Sequence, residues 1–242
     1  MMKTTSLLGA ALIVVTPLFS SPAFSQATDV IKLAFGNFHM DGLSEQDVFM
    51  ENPDNRNEVK RIPFSVATGA MDMPLFATTK EPPFEPMKKN PTATYPKGAA
   101  LGINLGEWLA AKGTGTYQCD GQKATIKASF EGLIPNAVYT MWNFIDAAPP
   151  TEPYQSLVLP AGKRDGSQSI FNSDADGKGT YEAVIEPCPD LSGNQTAAGL
   201  AIAWHSDGKT YGFKTGGLGV LAHAQLMSIF PKAGQVSSPS GH

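Results

Sequence analysis

The chain has 242 residues, 42% hydrophobic and 17% charged, and carries a formal net charge of −4. That acid excess, though mild, argues against nucleic acid or an anionic membrane surface as a partner. Only two cysteines are present, and neither has a CxxC or CxxxH companion, which excludes a local zinc motif.

Residues 1–27 read as a secretory signal. Lys3 supplies the positive start, Leu7 to Val15 form an apolar core broken only by small residues, and Ala23-Phe24-Ser25 or Ser25-Gln26-Ala27 offers the small-x-small cleavage pattern. The apolar run is too short to span a bilayer, and no later segment reaches the roughly 18 uninterrupted apolar residues a membrane helix needs. The expected product is periplasmic or secreted, without membrane insertion. Lys3 is the one charge lost with the signal, so −4 becomes −5. No cysteine stands just after the cleavage point, which argues against a lipid anchor.

Residues 28–96 are rich in proline and methionine, as in "DMPLF" and "KEPPFEPMKKNP". Repeated prolines deny strands their ladder donors and break helices, so this part is expected to be loop with short extended pieces. Phe35, Phe38, Phe49, Phe64, Leu75, Phe76 and Phe84 are too many apolar residues for disorder, which makes it an irregular arm packed on residues 97–232.

Residues 97–232 carry the pattern of an all-β, antiparallel sandwich of about seven or eight strands. "NLGEWLAAKG" suggests a short helix stopped by Gly113, although Asn104-Leu105-Gly106 reads as a poor start. "GTGTYQC" and "ATIKASFE" flank Asp120-Gly121 as a hairpin, and the second places Ala124, Ile126, Ala128 and Phe130 on one face. "AVYTMWNFI" is apolar on both faces, as a central strand would be. "TYEAVIE" alternates with Tyr181, Ala183 and Ile185 inward, and "GLAIAWHS" and "KTYGF" flank Asp207-Gly208 as a further hairpin. "GVLAHAQLMSIF" completes the set, and residues 233–242 read as a disordered tail.

Two of these segments, "GLIPNAVYTMWNF" and "FNSDADGKGTYEAVI", together resemble the middle of bacterial exported immunoglobulin-like or fibronectin-III-like modules. Leu133, Pro135, Tyr139, Asp174, Asp176, Gly177 and Gly179 carry the likeness, which covers about a third of the chain. The resemblance implies an immunoglobulin-like sandwich that binds or builds, with no catalytic residue to carry over.

Cys119 and Cys188 in an exported chain most simply form one disulfide. Asn172, Asp174 and Asp176 with Gly177 match the opening of a calcium loop, but the twelfth position is Ala183 and Glu182 falls on the following strand. The better use of these residues is a hairpin turn, with a weak calcium site as the alternative. His205 and His223, on neighbouring strands, form half of a candidate copper or zinc site that needs a third ligand from His39, Glu107 or a methionine such as Met40, Met71 or Met73. His205, Ser206 and Asp207 cannot act in series, because adjacent strand residues point to opposite faces. Trp108, outside the strand pattern, is the candidate ligand-facing ring, whereas Trp142 and Trp204 read as core.

The first reading is therefore an exported, non-catalytic binding or structural module without a cofactor, whose partner is a protein or a small ligand. The second is a periplasmic copper- or zinc-binding protein using His205 and His223.

Overall fold

The computed structural model describes residues 30–38, 47–67, 69–85, 91–120, 122–146, 156–186, 188 and 198–230. The signal-like segment, His39, Met40 and the tail lie outside the described residues. Strand β1 (Val30–Asn37) comes first, followed by β2 (Phe49–Asn52), β3 (Asn55–Arg61), a single turn α1 (Phe64–Ala67), β4 (Pro74–Thr78) and β5 (Thr94–Asn104). A second short helix, α2 (Leu105–Leu109), leads to β6 (Lys112–Cys119), β7 (Ala124–Glu131) and β8 (Val138–Asp146). The remaining strands are β9 (Ser156–Pro160), β10 (Ile170–Asn172), β11 (Gly179–Ile185), β12 (Ala198–His205) and β13 (Ala222–Ile229).

The fold is all-β with antiparallel pairing, as expected. Nine strands form one sheet in the order β10-β8-β12-β13-β1-β6-β7-β11, with β9 also on β8, and β2-β3-β5-β4 close into a small barrel. β1 joins the halves of the large sheet: Val30 to Phe35 pair with β6, and Gly36 and Asn37 pair with β13. A Ser173–Gly179 bridge links the end of β10 to the start of β11, so the edges meet and the sheet curls around a common core.

The alternation seen in the sequence decides which faces are buried. On β7, Ala124, Ile126, Ala128 and Phe130 turn inward, and on β11 Tyr181, Ala183 and Ile185 meet them. Tyr139 and Met141 of β8 face the same core as Leu200, Ile202 and Trp204 of β12. The larger of these, such as Ile126, Phe130, Met141, Leu200 and Ile202, contribute roughly 1.5–3 kcal/mol each when fully buried. β8 is central, paired with β12 on one side and β9 and β10 on the other, and Trp142 is buried against its second face.

Three expectations change. The stretch from 28 to 96 does not pack as an arm of loops: β1 lies in the middle of the large sheet, while β2 to β5 make the barrel. Proline is tolerated there because Pro74 begins β4, and the β4–β5 pairing shifts register on either side of Phe76, which erases the period-two pattern that sequence reading relies on. Asn104 is a good helix start: its side chain accepts the Glu107 N–H at 2.9 Å while Glu107 accepts the Asn104 N–H at 2.8 Å, a capping box. The hairpin expected across Asp207-Gly208 is a loop instead, because β12 pairs with β13 and "KTYGF" contributes only a Tyr211–Lys214 bridge. The Asp207 carboxylate accepts from the Lys209 N–H and the Tyr211 hydroxyl, which folds this tip back on itself.

Candidate functional site

β12 and β13 carry the two histidines, and the strand register separates them. Trp204 pairs with His223 and His205 with Ala222, so the imidazoles leave the sheet on opposite faces. His205 lies with Thr140 and Trp142. The Trp142 Nε1–H donates to Thr140 Oγ1 at 2.7 Å, and that hydroxyl is 2.8 Å from His205 Nε2. Burial lowers the His205 pKa, against an opposing pull from Asp207. The half-site expected from His205 and His223 is therefore not assembled, and among the described residues no three His, Cys, Asp or Glu side chains converge as metal ligands. Of the proposed third ligands, Glu107 caps α2, Met71 is exposed and Met73 packs on the core.

His223 is fully buried and joins three distant segments. Its Nδ1 meets the Asp47 carbonyl, its Nε2 lies 2.9 Å from Ser206 Oγ, and its ring packs 5.3 Å from that of Trp204. A carbonyl only accepts, so Nδ1 carries the proton and Nε2 accepts from the Ser206 hydroxyl. That hydroxyl also lies 3.3 Å from the Leu221 carbonyl. The Asp47 carboxylate accepts the Ala224 N–H at 3.0 Å, which fastens the chain before β2 to β13.

Serine, imidazole and a third group in series have the connectivity of an acyl-transfer site, but the energetics oppose that use. Burial pushes His223 down to about 4, outweighing the upward pull of the Asp47 carbonyl. A base lowered in this way is poorly matched to holding a serine proton at neutral pH. The Ser206–His223 contact links the residue after β12 to β13.

Trp108 is buried, not ligand-facing. Its ring is 6.4 Å from that of Trp204, and its carbonyl accepts from Gln225 Nε2 at 3.0 Å and Asn37 Nδ2 at 3.4 Å. Gln225 in turn accepts from the Tyr139 hydroxyl, which accepts the Ile134 N–H, so a polar chain runs through the core beside His223. Asn172 to Gly179 form the β10–β11 turn: Asp174 Oδ1 accepts the N–H groups of Asp176 and Lys178, and Gly177 takes a φ of 70°. Glu182 reaches across to its β7 partner Lys127, 3.0 Å away, and does not return to the turn. Cys119 and Cys188 form the disulfide, with Cα atoms 6.0 Å apart. It lies beside the β6–β7 turn, where Asp120 Oδ1 accepts the Gln122 and Lys123 N–H groups and the Gln122 carbonyl accepts the Cys188 N–H.

Among the described residues, an accessible recess lies on the outward face of β1, β6, β7 and β11. Two adjoining open grooves of about 650 and 550 Å³ share Thr114, Ser129 and Thr180. These three are cross-strand partners, which sets their hydroxyl-bearing side chains in one row across β6, β7 and β11. Two residues along the strands on one side, Lys32, Thr116, Lys127 and Glu182 form a second row. On the other side Lys112 pairs with Glu131, and Lys178 stands at the head of β11. Lys112–Glu131 and Lys127–Glu182 are ion pairs at 2.9 and 3.0 Å. The outward members of β7 are legible from its alternation, whereas Thr114, Thr180, Lys32 and Lys178 join them only through a register that no single strand reveals. No protein-family model matches the chain, and comparison with curated proteins finds no match.

Proposed function

We propose that this chain is an exported, non-catalytic binding module whose ligand surface is the outward face of β1, β6, β7 and β11. One observation carries the reading: a groove open to solvent is lined by hydroxyls and charges set in cross-strand rows. The signal-like first residues and the Cys119–Cys188 disulfide support export to an oxidising compartment. The resemblance of the segments around Leu133 and Asp174 to exported immunoglobulin-like modules supports a binding role in the same way.

Binding to an array of immobilised glycans, compared between the natural chain and Ser129→Trp, tests it. Ser129 is exposed in the middle of the groove, so the indole fills the recess without entering the core. Loss of a bound glycan in this variant at unchanged melting temperature is expected. A ligand held equally well by Ser129→Trp overturns the reading.

A further inference from the structure

The charge of the groove differs in sign from that of the chain. Among the described residues that line it, Lys32, Lys112, Lys127 and Lys178 stand with Glu131 and Glu182, a surplus of two positive charges on a protein whose net charge is −4. Lys32 and Lys178 have no ion-pair partner among the described residues, and they stand on opposite sides of the Thr114–Ser129–Thr180 row. The Lys112–Glu131 and Lys127–Glu182 pairs are more than half exposed and contribute at most about 1 kcal/mol each, so their lysines are available to a ligand carboxylate. Phe130 and Tyr181 turn into the core, which leaves no ring on the outward rows to stack against a neutral sugar. Recognition here rests on hydrogen bonds and charge.

The spacing narrows the ligand further. Adjacent strands lie about 4.8 Å apart, so the row offers one hydroxyl per strand at an interval close to the length of one pyranose unit. The charged rows run parallel to it, about 6.7 Å away on either side. We propose that the groove binds a linear acidic polysaccharide, a polyuronate, lying across the strands along Thr114, Ser129 and Thr180 with its carboxylates toward the flanking lysines. This rests on the groove being the binding surface. It adds that the ligand is a chain of sugars with about one carboxylate per residue.

The test is calorimetric titration of the full chain with oligogalacturonate, with its methyl ester, and with polyphosphate, at low and at physiological ionic strength. Oligogalacturonate is expected to bind at least about tenfold more tightly than the ester, and to weaken as salt screens the contacts. A Lys32→Glu/Lys178→Glu variant, whose changes are at the surface, is expected to lose at least about tenfold in affinity with its melting temperature kept. Equal affinity for acid and ester overturns the acidic assignment, and so does polyphosphate binding as tight as oligogalacturonate, which would mark an unselective cationic patch. In either case loss of binding in Ser129→Trp leaves the groove reading standing. No binding to any of the three polymers overturns the polyuronate proposal, and a blank glycan array then removes the groove reading with it.

Discussion

Replacing Asp47 by asparagine separates two opposing proton linkages buried beside β13. The Asp47 carboxyl is pushed up from 3.8 to about 6 by burial, against the Ala224 N–H and Arg61, with Glu81 adding to the rise. Its folded pKa is raised, so the native state binds more protons than the unfolded chain between about pH 4 and 6, and stability is lost as pH rises through that window. At 1.36 kcal/mol per unit the loss is about 3 kcal/mol. His223 runs the other way. Its folded pKa is depressed from 6.5 to about 4 by burial, with a smaller contribution from His205 and opposition from Asp207, so stability is lost as pH falls from 6.5 toward 4, again by about 3 kcal/mol. In the natural chain the two nearly offset between pH 4 and 6. The substituted amide keeps an oxygen for the Ala224 N–H and has no charge to desolvate. The stability of Asp47→Asn relative to the natural chain should therefore rise by about 3 kcal/mol between pH 4 and 6, or roughly 10 °C in melting temperature for a chain of this size. Thermal melts followed by circular dichroism across this range give the difference directly, and carboxylates elsewhere cancel in it. A difference that stays flat or falls as pH rises would refute the reasoning, since it would mean that folding does not favour the protonated Asp47 carboxyl.

Three further outcomes rest on the same contacts. A fluorophosphonate probe should leave Ser206 unmodified at neutral pH by mass spectrometry, because His223 is too weak a base to take its proton; stoichiometric labelling that disappears in Ser206→Ala would contradict the structural role. Cys119→Ser/Cys188→Ser opens a link across 69 positions and should cost up to about 4 kcal/mol, read as a lower denaturant midpoint that added reductant does not lower further. Gly177→Ala should be more harmful than Gly208→Ala by about 1–2 kcal/mol in chemical denaturation. Both glycines have φ near 70°, but a Cβ at 177 would lie 2.4 Å from the Leu133 carbonyl oxygen, whereas one at 208 meets nothing within 4 Å.

What is legible in the sequence is local. β7 and β11 alternate strictly because one face is core and the other solvent, and the Asn172–Gly179 turn declares itself through Asp174 and Gly177. The barrel of β2 to β5 is hidden because prolines and register shifts remove the alternation, and β1 reads as part of an arm because eight residues do not say which strands they will join. The histidine half-site fails for a related reason. Whether His205 and His223 share a face depends on a register that shifts between Ile202 and Ala203, which neither strand shows alone. The tie from His223 to Asp47 spans 176 positions, and the groove needs four strands in register; neither leaves a spacing motif behind.

The most direct test of the central claim is a titration of isotopically labelled chain with oligogalacturonate, followed by amide chemical shifts. The perturbed amides should cluster on β6, β7 and β11 around Thr114, Ser129 and Thr180, with Lys32 of β1 at one margin. Perturbations centred instead on His205, Ser206 and Tyr211, with the groove unchanged, would contradict it.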